Sequence, residues 1–379
     1  MNTDVFIRRE PVVNRHKAIT ASRLIVHAAL STEAASVLGQ LTDVWPTANS
    51  VFVGLAGGLL DDWLLAWQPP ENVMIEIPAA AIEIPATQML IGKLHAAGIP
   101  MCLDGWVPGM TLPAGLQFRF VLADARAHPV VKNAPGLLLA KGLANHREFA
   151  LAMDNGYSGA TGWFFLSGMP VTDKLNPAHA QIVRVLNLVR HNAEIKDIEA
   201  ALKQDVALSY KLLRYINSAG FGLSCEIQSF RHAVTILGYD KLNKWLSLLL
   251  VTASRDPAAP ALMQTAIARG RFMELTGKNY IDRTQIDNLF ITGAFSLLHV
   301  LLGTRMEVVL EQMHLPEAIA DALLRREGIY APFLDLALAC ESGDTAALAA
   351  RTEALHLTTA QINHAQIESL AFADSLQFS

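Results

Sequence analysis

Leu208-Ser209-Tyr210-Lys211-Leu212-Leu213-Arg214-Tyr215-Ile216-Asn217-Ser218-Ala219, followed by Ile227-Gln228-Ser229-Phe230-Arg231-His232-Ala233-Val234-Thr235-Ile236-Leu237-Gly238, is the stretch that decides how this chain is read. Both runs read as helix. Asn217 and Ser218, followed by Gly220, mark a helix end; Ser229 is placed as an N-cap and Gly238 as the residue that stops the next helix. From about Asn176 onward nearly everything has this helical texture, punctuated by glycine and proline at 220–222, Gly238, Pro257, Pro260, Gly277 and Gly328. Upstream of Gly168-Met169-Pro170 the texture differs, and the boundary is placed at about residue 170, giving domains 1–170 and 171–379.

The first half alternates short β-like runs with turns. Strands are expected at 5–9, 19–26, 51–55, 73–77, 101–103, 118–123, 137–140 and 161–165, with helices at 32–44, 86–97 and 146–155. This alternation predicts parallel pairing, in a barrel or an open α/β sheet. Segments 107–117 and 126–136 carry too many Pro and Gly for a full helix. Any barrel is therefore shortened.

Composition narrows the function classes. Of 379 residues 52% are hydrophobic and 17% charged, enough apolar material for a large core. Mean hydropathy is positive, yet no apolar run reaches the roughly 18 to 20 residues of a spanning helix, so a cytoplasmic protein without a membrane span is expected. The net charge of -5 and the lack of a basic tract argue against nucleic acid as a partner. Three scattered cysteines, Cys102, Cys225 and Cys340, fit reduced thiols rather than a disulfide framework or a zinc site.

The quoted helical stretch resembles the HDOD domain, a relative of the metal-dependent HD phosphohydrolases that lacks their metal ligands. No His-Asp dipeptide occurs in this chain. The first half resembles the EAL domain, a TIM-barrel-like phosphodiesterase of cyclic di-GMP, and the whole order resembles the two-domain EAL–HDOD (YuxH-like) proteins. The resemblance rests on Arg9-Glu10-Pro11-Val12-Val13-Asn14-Arg15, on Gly98-Ile99-Pro100-Met101-Cys102-Leu103-Asp104-Gly105-Trp106, on Asn155-Gly156-Tyr157 through Gly162-Trp163-Phe164-Phe165, and on Ala322-Leu323-Leu324-Arg325-Arg326-Glu327-Gly328. It implies a reduced TIM-barrel-like domain followed by an all-α domain.

The EAL resemblance also implies a site in which carboxylates, an Asn and a Lys at strand ends hold two cations. Little of it survives. The signature Glu falls on Arg23, the Asn on Gly54, the second Asp of an Asp-Asp pair on Gly105, the Lys on Leu122, two later Glu on Lys141 and Ala144, and the closing Gln on Thr161. Glu76, Asp104 and Asp124 keep the family's residue type. Two expected anions have become cations, and a site for two divalent cations needs concentrated negative charge. The reading is a pseudoenzyme without metal or cofactor, in which Arg23 takes the place of the metal and pairs with Glu76 or Asp104.

Other features have plainer readings. Glu10, Asp61 and Asp62 are surface charges. Trp63 and Trp67, at i and i+4, form a stripe read as core packing ahead of a partner-docking face. His191 and His232 are ordinary helix residues, and Asn217 and Ser218 serve capping and junction packing.

The expected function is a non-catalytic regulatory or scaffolding protein of bacterial signal transduction, working through protein partners and open to self-association. The alternative is a cyclic di-GMP receptor that binds without cleaving, with Arg23 or Lys141 on phosphate. An active phosphodiesterase ranks third.

Overall fold

The computed structural model describes residues 5–56, 60–113, 115–131, 133–167, 173, 177–203, 227, 229–251 and 259–376. Eight strands close into one barrel in sequence order: β1 Phe6–Asn14, β2 Ile19–His27, β3 Ser50–Ala56, β4 Val73–Pro78, β5 Met101–Asp104, β6 Phe120–Asp124, β7 Leu137–Lys141 and β8 Gly159–Thr161. β1 runs antiparallel to both of its neighbours, β2 and β8, whereas the pairs from β2 round to β8 are parallel.

Helices α1 Ser31–Gly39, α2 Pro85–Ala97 and α3 His146–Asp154 follow β2, β4 and β7. No α-helix follows β5 or β6 among the described residues, as the Pro and Gly content there requires. The outward residues Val121 and Ala123 of β6 are nonetheless buried, as are Trp106, Phe118 and Val131 of the adjoining loops.

Strand alternation sets the interior. One residue from each of β1 to β7 (Val12, Ala21, Phe52, Met74, Cys102, Leu122 and Leu139) forms a buried apolar floor, with Phe120 packed against it. Two residues further along the strands, toward the C-terminal ends of β2 to β7, the same parity falls on Arg23, Gly54, Glu76, Asp104, Asp124 and Lys141, and all of these but Asp124 line the space above the floor. Because β1 runs the other way, it contributes Glu10, which is paired with Arg23 in the β1–β2 ladder.

Two expectations shift in detail. β1 extends through Pro11 to Asn14, with a register shift between Val12 and Val13. The last strand is Gly159–Thr161 rather than 161–165, and Phe164–Leu166 is a 3₁₀ turn. Gly162, at φ 99°, turns the chain out of the strand, and buried aromatics such as Phe164 and Phe165 fit such a turn as well as a strand.

The chain divides into two compact units, one of residues 1–168 with 339–371, the other of 169–338 with 372–379. The expected unbroken second domain, 171–379, is corrected in its tail, because residues 339–371 pack with the barrel. The reason lies at β1. Its ladder with β8 covers only Val12 to Asn14. Near its start, Asn363 accepts from the Ile7 N–H at 3.0 Å and donates to the Val5 carbonyl at 2.7 Å, and Gln366 donates to the Ile7 carbonyl at 3.0 Å. Side-chain amides of the helix Thr359–Ser375 thus serve backbone groups that no strand reaches.

The second unit is helical. Its elements include Pro177–Arg190, Ile195–Lys203, Phe230–Val251, Ala259–Gly277 and Ile286–Phe295. Ser229 Oγ accepts from the His232 N–H at 3.1 Å, the N-cap geometry. Gly238 interrupts the long segment Phe230–Val251 with φ 74° and ψ 173°. Ala259–Gly277 and Ile286–Phe295 cross at backbone contact: a Cβ on Gly293 would lie 2.7 Å from the Gly270 Cα.

Candidate functional site

Above the apolar floor lies a cavity of about 420 Å³ at the C-terminal ends of the parallel strands. The Arg23 guanidinium fills its base. Nε and Nη2 donate to the two oxygens of Glu76 at 2.6 and 2.9 Å, Nη2 also reaches Asp104 at 3.1 Å, and Nη1 reaches Glu10 at 2.9 Å. Arg23 and Glu76 are 5% and 3% exposed, so the fork is a buried ion pair. Lys141 bonds the other Asp104 oxygen at 2.5 Å, and Arg8 bonds the other Glu10 oxygen at 3.1 Å. Charges therefore alternate across the cavity, from Arg8 through Glu10, Arg23 and Asp104 to Lys141, with Glu76 beneath.

The electrostatics follow from this geometry. Burial by itself would lower the Arg23 pKa, but the charge of and hydrogen bonds to Glu76, then Asp104 and Glu10, outweigh it and raise the pKa. Burial pushes the Glu76 carboxyl up from its ordinary value, and the Arg23 fork opposes that push. On the floor below, burial and then Glu76 and Asp104 push the Cys102 thiol well up.

Gly54 makes the fork fit. A Cβ there would lie 2.6 Å from Glu76 Oε2. Thr161 is buried and lines the cavity.

The other mapped positions stand apart. Gly105, at φ 81°, donates its N–H to the Leu122 carbonyl at 3.0 Å and carries the chain into a turn. Leu122 belongs to the apolar floor. Asp124 is exposed and accepts from the Arg126 and Ala127 N–H groups, capping a turn. Ala144 donates its N–H to Glu148, ahead of α3. Asn217, Ser218 and Cys225 lie outside the described residues.

Two readings are corrected. Glu10 is a member of the buried cluster rather than a surface charge. Its signal was the alternation Arg8, Glu10, Val12, which puts it on the inward face of β1. Trp63 and Trp67 do not share one fate: Trp67 is buried edge-on to Trp45, with ring centroids 5.1 Å apart, whereas Trp63 is 64% exposed. Asp61 caps the turn that holds Trp63, and Asp62 pairs with Lys93. His191 is exposed and meets the His314 ring edge-on at 5.0 Å.

This donor set does not fit two divalent cations. All three carboxylates already accept from Arg23, and an entering cation would have to displace a guanidinium of like charge. Among the described residues no group of three or more His, Cys, Asp or Glu side chains is arranged to hold a metal ion.

Residues 175–304 match the HDOD domain family. Over 377 residues the chain is 22% identical to the Bacillus subtilis protein YuxH, covering 90% of this chain and 91% of YuxH. The chain thus carries an HDOD domain behind an eight-stranded barrel and is similar to YuxH over nearly its whole length. A second relative, the cyclic di-GMP phosphodiesterase CdgJ of Vibrio cholerae, is 30% identical over 208 residues, 54% of this chain and 48% of CdgJ. The chain spans about half the length of CdgJ. A standalone EAL protein from Vibrio cholerae O395, solved with c-di-GMP bound, is 17% identical and covers 43% of this chain and 91% of its own, with a TM-score of 0.32. Among the described residues no helix is long and apolar enough to cross a membrane.

Proposed function

We propose that this protein is a non-catalytic regulator in cyclic di-GMP signalling and acts through contacts with protein partners. One observation carries the reading. The Arg23 guanidinium is held by Glu76, Asp104 and Glu10 at the strand ends where the EAL resemblance puts the cations. Metal-assisted hydrolysis requires an ion that lowers the pKa of water and neutralises phosphoryl oxygens. A guanidinium with its donors spent on carboxylates does neither. The signalling context comes from relatives: the chain is similar to YuxH over nearly its whole length, and CdgJ is named a cyclic di-GMP phosphodiesterase.

The same geometry weakens the receptor alternative as first framed. Arg23 and Lys141 are both engaged with carboxylates, so a phosphate would have to compete with Asp104 for either. The deciding experiment incubates the purified protein with cyclic di-GMP and Mg²⁺ or Mn²⁺, and titrates the dinucleotide calorimetrically. Neither turnover nor heat is expected. Turnover lost in Glu76→Ala would overturn the proposal, and saturable binding without turnover would move the assignment to a receptor.

A further inference from the structure

The helical unit contains a cation, Arg190, with no counter-ion among the described residues. Arg190 ends the helix Pro177–Arg190, and its side chain reaches the segment Phe230–Val251, where Nε donates to Asn243 Oδ1 at 2.9 Å. The guanidinium lies 5.7 Å from the ring centroid of Phe295, the last residue of Ile286–Phe295. The two outer nitrogens, Nη1 and Nη2, are sealed from solvent and have no hydrogen-bond acceptor among the described residues. Burial pushes the Arg190 pKa down to about 10, and no neighbouring charge contributes to the shift. Even so, the group stays cationic at neutral pH.

The contrast with the barrel is instructive. There a buried Arg meets three carboxylates; here a partly buried Arg, its outer nitrogens sealed from solvent, meets an amide oxygen and an aromatic ring. A buried charge with unmade hydrogen bonds is among the costlier features a fold can carry. The unused donors are the Nη1/Nη2 pair, the end of the guanidinium that binds a carboxylate or phosphate through two parallel N–H···O bonds. Asn243 holds the third nitrogen and fixes the plane of the fork.

We propose that Arg190 is the anchor of an oxyanion site in the helical domain, taking a phosphate or carboxylate group between the helices that carry Arg190, Asn243 and Phe295. Because Nη1 and Nη2 are sealed, the anion enters only when these helices part. Binding is therefore coupled to a change in helix packing, and the site is a switch rather than an open pocket. It is independent of the barrel cavity and of the reading given to it.

The test uses the full-length protein. Thermal unfolding is followed while inorganic phosphate, or acetate, replaces chloride at constant ionic strength, for wild type, Arg190→Met and Arg190→Lys. Wild type should show a saturable rise in Tm with at least one of the two anions, and comparing them separates a tetrahedral from a planar ligand. Arg190→Met should lose that response while unfolding no lower than wild type without added anion, since it fills the space without an unpaired charge. Arg190→Lys keeps the charge but not the fork, and should need about tenfold more anion for half-saturation. Hydrogen exchange of Phe230–Val251 should change on saturation in wild type alone. The proposal fails if neither anion exceeds chloride in wild type, as an acid supplied by the chain itself would cause. It also fails if Arg190→Met responds as wild type does. Should the Met variant not fold, the wild-type titration and the Lys variant still decide.

Discussion

Gly54 and Glu76 are matched across the β3–β4 boundary: a Cβ on residue 54 would lie 2.6 Å from the Glu76 oxygen that Arg23 Nη2 holds. Gly54→Asn, which restores the side chain that the EAL resemblance places there, should therefore displace the Glu76 carboxylate from its fork. A loss of about 1–3 kcal/mol is expected, the range for overfilling a packed interior. Urea unfolding of the variant measures it; unchanged stability would mean that Glu76 can move aside.

Arg23→Ala should cost about 3–5 kcal/mol, because it leaves the buried Glu76 carboxylate without the cation that hydrogen-bonds it. The loss should be coupled. A double-mutant cycle between Arg23 and Glu76 should return a larger interaction energy than one between Arg23 and Glu10, whose side chain is 17% exposed. Equal coupling would show that the fork is no stronger than its partly solvated neighbour.

Cys102 should resist modification. Burial beneath two carboxylates holds its thiol protonated, and the thiolate is the reactive form. At about pH 8, alkylation of Cys102, followed by peptide mass spectrometry, should run about a hundredfold or more slower in native protein than in denaturant. Cys340 should behave alike, since burial also pushes its thiol up.

Two histidines should make stability fall in mild acid. Burial, then the charge of Arg8, lowers the His27 pKa from 6.5; burial, then Arg269 and Arg326, lowers that of His299. A base with a depressed folded pKa takes up its proton first in the unfolded chain. Its contribution is complete above about pH 6.5 and is lost as pH falls toward the folded pKa. Urea midpoints taken from about pH 8 to about pH 5 should decline, and the His27→Gln, His299→Gln double variant should decline less.

Most strands could be read from sequence because runs such as Val51 to Leu55 and Leu137 to Ala140 are apolar and bounded by turn residues. The end of β1 could not, because a charge and a proline, Glu10 and Pro11, follow the expected strand 5–9; in the fold Glu10 has an inward cation to meet and the Pro11 carbonyl accepts from Gly162. The pairing of Arg23 with Glu76 and Asp104 followed from aligning strand ends, since a barrel brings such ends together. That Glu10 joins the cluster depends on the antiparallel sense of β1, and strand sense leaves no local trace in composition. Asp124 kept its residue type but caps a turn, a role that residue identity alone does not distinguish from facing the cavity.

The amide clasp on β1 bears on the order in which the molecule is made. Val5 and Ile7 leave the ribosome early, yet the side chains that satisfy them come 356 to 359 residues later. Throughout synthesis of the intervening helical unit the start of β1 keeps open backbone groups, the kind of edge on which nascent chains pair wrongly with one another. Completion of the barrel is thus postponed until the helix Thr359–Ser375 has emerged. Cutting the gene at the apparent domain boundary would yield a barrel held permanently at that nascent stage.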